Sequence, residues 1–390
     1  MTDDTTESRS ILSSSAVMAA GTIVSRLSGY VRTVLLAAAL GNLLHADIFM
    51  IGNTIPNMLY ILLAGGVLNA VLVPQLVRAM KNDADGGDAY TNRVVTLVGL
   101  FLAAVTILLV AAAPWVMRLF LPSAFYEPEN TEQLASAINF ARYCLPQVFF
   151  YGMFVLVGQI LNARGRFGPM MWAPIANNVI SVLVLVTYLL VFGPARGDER
   201  FGGYATSQEL LLGIGSTLGI VAQFLVLVPY LRAAGFRFRP RFDFRGTGLG
   251  HTLRLGSWTL GFVLVNQIAY AVVVRLAASG TAEAATGAGS PDERTGYAVY
   301  SAAFLITMVP HAVITVSLAT AILPRLSTRA ADGDLAGLAE TLSGTLRTAL
   351  VLIIPFAALL PLIAIDLSNV ILGYGAARDT FDLYALSLAL

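Results

Sequence analysis

Charge is what this sequence has least of. Only 12% of its 390 residues are Asp, Glu, Lys or Arg, against 57% hydrophobic, and the mean hydropathy is +0.75. A water-soluble domain of this length does not look like this. Cysteine is almost missing: Cys144 stands alone, which excludes a disulfide framework and a multi-cysteine metal site and leaves it a small packing residue. His45, His251 and His311 are far apart and show no ligand spacing, so neither metal nor another cofactor is expected. Lys81 is the sole lysine, and the net charge of +1 provides no field for nucleic acid. No nucleophile–base pair or phosphate loop is evident. Gly246, Gly248 and Gly250 lack the preceding strand that a nucleotide loop needs, and an enzyme is not expected.

What fills the chain instead is apolar runs, each near or above about twenty residues, the length that crosses a bilayer as a helix. Short alternating strands of the barrel type are not the pattern. The fold class is therefore all-α, a polytopic membrane protein. Helices are predicted at 11–40, 46–79, 91–121, 133–161, 168–193, 207–232, 248–278, 295–323 and 340–365, with a further one starting near Thr380. The breaks fall where Gly, Pro, Asn and Asp crowd together, as in Asn82–Asp88, Pro122–Asn130 and Gly280–Arg294. The start, Met1–Ser8, is acidic where a cleavable signal needs positive charge, so the first helix is expected to be retained. Alternate loops carry Arg78, Lys81 and Arg93, then Arg164 and Arg166, then Arg232 to Arg245, then Arg325 and Arg329. The opposite loops mix arginine with Glu127, Glu129, Glu132, Asp198, Glu199, Asp292 and Glu293. The basic set belongs on the cytoplasmic side, which puts the N-terminus there too. The Arg237–Arg245 cluster reads first as a topology determinant, with anionic headgroups as a second use.

A weak repeat runs through the chain. Leu72-Val73-Pro74-Gln75-Leu76-Val77-Arg78 is echoed by Ile322-Leu323-Pro324-Arg325-Leu326-Ser327-Thr328-Arg329, and each is followed by Asp- and Gly-rich residues. This pairs the first helix with the seventh and predicts two pseudo-symmetric helical lobes around a central cavity. Residues 1–247 form the first lobe, helices one to six. Residues 248–390 form an incomplete second lobe, helices seven to nine and the start of a tenth.

Charges inside spanning helices point to function, because each costs about 2.5–3.5 kcal/mol to insert. Arg26 and Arg32 lie in the first helix, about 9 Å apart along its axis at the α-helical rise. Thr22, Ser25, Ser28, Gly29 and Thr33 share their arc of the helical wheel. Two guanidinium forks on one polar face suit phosphate oxygens; the alternatives are a structural ion pair or snorkelling to an interface. Asp47 in the second helix is placed to pair with an arginine in the empty protein, or to act as a simple helix cap. Asn57 follows it on the same helix. Gln267 and Arg275, eight residues apart, share a face of the seventh helix, and Asn177 with Asn178 follows Pro174 in the fifth. For the amide pair, hydrogen bonding between helices is the default. Gly215-x-x-x-Gly219 reads as close helix packing.

The stretches around these residues resemble a known family. Ser25-Arg26-Leu27-Ser28-Gly29-Tyr30-Val31-Arg32, Ala46-Asp47-Ile48-Phe49 and Ile55-Pro56-Asn57-Met58-Leu59 resemble the opening signature of the MurJ/MviN lipid II flippases. Gly158–Phe167, Ala173–Asn178 and Ile322–Ser327 resemble further family segments. The resemblance implies the multidrug/oligosaccharidyl-lipid/polysaccharide exporter fold, with fourteen helices in a full-length member. It implies a bacterial cytoplasmic membrane location and lipid II as the partner. Lipid II, an undecaprenyl-pyrophosphate glycopeptide, would be moved to the outer leaflet for peptidoglycan synthesis, with membrane lipids and cell-wall synthesis proteins as further partners. It casts Arg26, Arg32 and Arg275 as cavity arginines and Asp47 as the cavity-side acid. Thr33, Tyr60-Ile61 and Leu305 stand where the family often carries Asp, Arg-Arg and Arg, so this cavity is less cationic than in many members. Two other readings remain: a drug or cation antiporter of the same superfamily, and a non-transporting scaffold for cell-wall assembly.

Overall fold

The computed structural model describes residues 2–62, 76, 78–80, 85–243, 249–285 and 295–390. Among them the regular structure is entirely helical: α1 (Thr2–Leu40), α2 (Leu44–Leu62), α3 (Asp88–Ala111), α4 (Ala113–Phe120), α5 (Thr131–Cys144), α6 (Gln147–Ala163), α7 (Gly168–Val191), α8 (Thr206–Ala233), α9 (Leu249–Ala277), α10 (Ser279–Ala285), α11 (Tyr297–Pro310), α12 (Val316–Ala331), α13 (Leu335–Leu372) and α14 (Phe381–Ala389). Seven described segments are long and apolar enough to cross a membrane. The end of the second predicted helix and the first copy of the repeat fall largely on residues 63–75 and 77, outside the described residues, as do Lys81 and the proposed lobe boundary at 247/248.

Three predicted helices are each divided at a proline. Pro114 sits in the first turn of α4, where its missing N–H costs nothing. Pro146 separates α5 from α6. Pro310 ends α11, and a π-turn over His311–Thr315 carries the chain into α12, the widened turn being a common answer to an interrupted hydrogen-bond ladder. The predicted break after Gly280 instead holds α10, which packs against the turn Ser123–Tyr126. α13 is longer than predicted and starts on Asp334, whose carboxylate accepts from Gly337 N at 2.9 Å.

Close packing is set by small residues. A methyl at Gly215 would stand 2.5 Å from Val184, and one at Gly219 would collide with Asn177, so α7 and α8 touch along the Gly-x-x-x-Gly ridge. The core is divided unevenly between the two ends of the molecule. At the end where α1 passes into α2, one apolar cluster joins Leu40, Ile48, Phe49, Met117, Phe125 and Tyr188 to Val274, Ala278, Ala282, Tyr297 and Ala298. It therefore mixes helices from both halves of the chain. At the opposite end, around the α6–α7 turn, the cluster of Leu76, Val94, Phe154, Leu161, Ala173, Leu227 and Phe236 draws only on α2–α8 and their loops. Midway along α9, the side chains of Phe262 and Val265 are 71% and 66% exposed.

Candidate functional site

Beneath the shared cluster lies a cavity of about 370 Å³. α1 brings Arg32 and Thr33, α2 brings Asn53, Thr54 and Asn57, α6 Tyr151, and α7 Asn177 and Ser181. From the other half of the chain come Tyr270 of α9 and Tyr297, Ser301 and Leu305 of α11. The polar side chains cross-link: Gln147 Nε2 donates to Asn53 Oδ1 at 2.9 Å, and the Tyr297 hydroxyl lies 2.9 Å from both Thr54 Oγ1 and Tyr270 Oη. Tyr60 stacks near Tyr151 with ring centroids 4.7 Å apart. Among the described residues the lining contains one cation, Arg32, and no carboxylate. Among the described residues no acid lies within salt-bridge distance of Arg32.

Asp47 is fully buried just beyond the cavity wall. Its Oδ1 accepts from Ala298 N at 2.6 Å, and its Oδ2 from Tyr297 N at 3.1 Å and Thr281 Oγ1 at 2.5 Å. Those two amides are the first of α11, so the carboxylate of α2 caps the N-terminus of a helix some 250 residues away in sequence. Helix N-termini carry unpaired N–H groups and partial positive charge, and an anion there is stabilised by both. The pairing of Asp47 with an arginine is thus corrected: its partners are backbone amides and a threonine. Gly296 precedes the cap, and a methyl there would collide with Asp47 Oδ2.

The structure gathers some of the predicted residues and separates others. Arg32, Asn57 and Asn177 line one cavity. Arg26 is exposed, further along α1 away from the Asp47 end. Arg275 is exposed at the Asp47 end and donates from Nη1 to Arg118 O at 3.0 Å, outside the cavity wall. Of the three expected arginines, Arg32 lines the cavity in this arrangement and Arg26 and Arg275 do not. Gln267 is half-buried on α9, its Oε1 unpartnered in this structure, and does not line the cavity. Asn178 holds α7 to α1 by donating to Ser25 O and Ser28 Oγ, each at 2.9 Å, so one amide of the pair braces helices and the other faces the cavity. Sequence reading missed Tyr297, Tyr270 and Thr281. The usable signal was a Gly-Tyr start to an apolar helix, with tyrosines on otherwise aliphatic spans.

Outside the spanning helices, two carboxyls are held below their ordinary range. Arg93 bonds Asp243 at 2.5 Å and lowers it, and the amide of Ala89 does the same for Asp85. Tyr204 is pushed up by burial; its ring stacks on His45 at 3.5 Å between centroids.

A family model described as "MurJ: Lipid II flippase MurJ" matches residues 36–390. The chain is 28% identical over 252 residues to a "Probable lipid II flippase MurJ" of Haemophilus influenzae, covering 63% of this chain and 47% of that protein. It is 29% identical over 357 residues to the protein of the same description from Vibrio cholerae, covering 90% and 63% respectively. The chain thus spans about half to two thirds of the length of these relatives. Among solved structures it is similar to "Lipid II flippase MurJ, inward closed conformation", with a TM-score of 0.70 and 18% identity, over 96% of this chain and 71% of that one. An inward-facing multidrug resistance MATE family transporter of the MOP superfamily gives a TM-score of 0.66 at 17% identity, over 94% and 76%. At such identities these structures establish the fold.

Proposed function

The chain belongs to the MurJ family, and from that premise we propose that it moves lipid II, the undecaprenyl-pyrophosphate-linked glycopeptide, across the bacterial cytoplasmic membrane by alternating access. In this reading residues 1–247 and 248–390 work as two lobes. The Asp47 end faces outward, and the N-terminus and the basic loops face the cytoplasm. The closed end and the open end of the cavity then correspond to an inward-facing state. The observation that carries the proposal is Arg32, a guanidinium in a hydrogen-bonding cavity with no carboxylate among the described residues of its lining. A cation left without a protein partner in such a place favours an anionic ligand, and the fork of Arg fits pyrophosphate oxygens in pairs. Asn57, Asn177 and Ser301 supply neutral donors and acceptors for the rest of the headgroup. Arg26, exposed on the same helix away from the Asp47 end, meets the anion on its way in. Arg275 and Gln267 come into play only when α9 moves relative to α2.

A drug or cation antiporter would need an acid in the cavity wall, and the described residues of the lining offer none. A scaffold would not need the cavity arginine at all. Both are separated from the flippase by one experiment. The full-length protein is depleted in cells and replaced by variants, and lipid II exposed at the outer surface is measured. Losing a charge-assisted phosphate contact costs about 1.5–3 kcal/mol, so Arg32→Ala is expected to lower exposure at least tenfold while the protein remains inserted. Arg32→Lys restores part of it, because a point charge replaces a fork. Normal exposure in an Arg26→Ala/Arg32→Ala double variant would remove the basis of the proposal.

A further inference from the structure

One basic segment takes no part in the cavity. After α8 ends at Ala233, Gly235 (φ 84°) turns the chain, and Phe236 is buried beneath the Arg164 guanidinium, 5.4 Å from its ring centroid. The chain then runs extended across the start of α3. Arg239 N donates to Asn92 Oδ1 at 2.6 Å and Arg241 N to Thr96 Oγ1 at 3.1 Å, one helical turn apart on α3. Both receiving side chains are buried, and both also donate back into α3, to Asp88 O and Asn92 O. Asp243 closes the run on Arg93. In an extended chain alternate N–H groups point to opposite sides. Those of 239 and 241 face α3, and the position between them is Pro240, which has no N–H to leave unpaired.

The outward features of this strap are arginine and phenylalanine. Arg237, Arg239 and Arg241 are exposed, and Phe238 and Phe242 are 52% and 68% exposed. Arg241 lies in the field of Asp85 and Asp243, whereas Arg237 and Arg239 have no acid within salt-bridge distance among the described residues. The neighbouring α6–α7 turn repeats the pairing with exposed Arg166 and Phe167, and it is tied to the strap's root by Arg164 Nη1 donating to Ala234 O at 2.9 Å. The strap starts only a few residues beyond the apolar span Thr206–Ala233, which puts it at the depth of lipid headgroups. Aromatic rings settle there, and arginines meet anionic phosphates there.

We propose that Arg237–Phe242 is an interfacial strap that binds the headgroups of anionic phospholipids at the membrane surface. Its side chains do not line the cavity, so the site is separate from the one that would carry substrate. The proposal rests on the chain's spanning a bilayer and needs neither lipid II transport nor a particular orientation. The test is native mass spectrometry of the full-length protein released from detergent with phosphatidylglycerol, with phosphatidylcholine as the neutral comparison and inorganic phosphate as the free-anion competitor. The wild type is expected to retain phosphatidylglycerol over phosphatidylcholine and to keep it against excess inorganic phosphate. Each arginine removed should cost about fivefold in retention, so Arg237→Gln/Arg239→Gln loses about twenty-fivefold, while Arg237→Lys/Arg239→Lys keeps most of it. Lipid II exposure in cells is expected to survive in the Lys variant, which separates a failure here from a failure of the transport reading. Equal retention by wild type and Gln variant, no preference between the two lipids, or displacement by inorganic phosphate would each overturn the strap.

Discussion

At the Asp47 end, helices from both halves of the chain share one apolar core and a fully buried carboxylate ties them together. At the Arg164 end, the core formed by the described residues belongs to the first half, and the ion pairs Arg164–Asp88 and Arg93–Asp243 stay within it. Each end thus uses an aspartate as a fastener, with different consequences. Asp243 is more than half exposed and pairs with a guanidinium in water, where solvent screens the contact. Asp47 is dry and accepts from two backbone amides and a hydroxyl, and removing it strands buried donors at about 1–3 kcal/mol each. The Asp47 end is held by groups that this arrangement satisfies, and among the described residues the Arg164 end has no buried carboxylate of that kind. Under the proposed alternating access, opening at the Asp47 end must break these bonds, so the barrier lies there.

The largest effect should come from Asp47→Ala. Stranding the amides of Tyr297 and Ala298 at about 3 kcal/mol would shift the balance between closed and opened states by about a hundredfold. A single cysteine placed at Met50, in the cavity wall, with Cys144 replaced by Ser, reports on it. In the Asp47-intact protein an impermeant thiol reagent added outside intact cells should fail to label it; in Asp47→Ala, labelling should become rapid. Continued protection would mean that the apolar cluster alone closes this end.

Gly296→Ala attacks the same place from the other side. The added methyl would collide with Asp47 Oδ2 and stand 2.6 Å from Thr281 Cγ2. Overpacking of this kind costs about 1–3 kcal/mol, but the carboxylate is still present to re-bond after a shift, so the gain in labelling at Met50 should be smaller than for Asp47→Ala. A Gly296→Ala protein that labels no faster than its parent would show that α11 can slide without loosening the cap.

The spans were readable because length and hydropathy are enough to require a membrane helix, and Arg32, Asn57 and Asn177 were readable because polar groups on such spans stand out. The fastener was not. Asp47 is visible in the sequence, but the groups it satisfies are backbone amides, which carry no residue signature, on a helix start some 250 positions later. From the sequence, an arginine partner and a simple helix cap stand level. Arg275 shows the limit of charge as a signal: it lies in the last turn of α9, where a long side chain reaches a neighbouring carbonyl, and charge alone does not distinguish that from a cavity position. Pro114, Pro146 and Pro310 were placed inside continuous helices, yet each occurs where two shorter helices meet. The short helix α10 owes its place to packing against Ser123–Tyr126, a long-range contact that its own seven residues do not announce.

Tyr297 sharpens the comparison, because it touches both the fastener and the cavity. Its amide bonds Asp47 while its hydroxyl meets Thr54 and Tyr270. Tyr297→Phe keeps the first and loses the second, at about 0.5–1.5 kcal/mol for each bond. Labelling at Met50 should rise only a fewfold. Combined with Asp47→Ala the two effects should fall short of additive, since neighbours that share a structure couple; strict additivity would show that cavity and fastener act independently.

The smallest effect is expected at the other end, from pH. Arg93 holds the Asp243 carboxyl below its ordinary value, so the pair contributes to the folded state above the unfolded carboxylate value of about 3.9 and loses that contribution as pH falls through the lower folded value. A nitroxide at position 242 should therefore report a steady strap from neutral pH down to about pH 4, then rising mobility below it. Asp243→Asn should be more mobile throughout, though modestly, because the amide contacts of Arg239 and Arg241 to α3 remain. Met50 labelling should not respond in either case. Mobility that climbs already between pH 6 and 5 would point to another titrating group on the strap, and a concurrent change at Met50 would mean that the two ends are not the separate devices their cores describe.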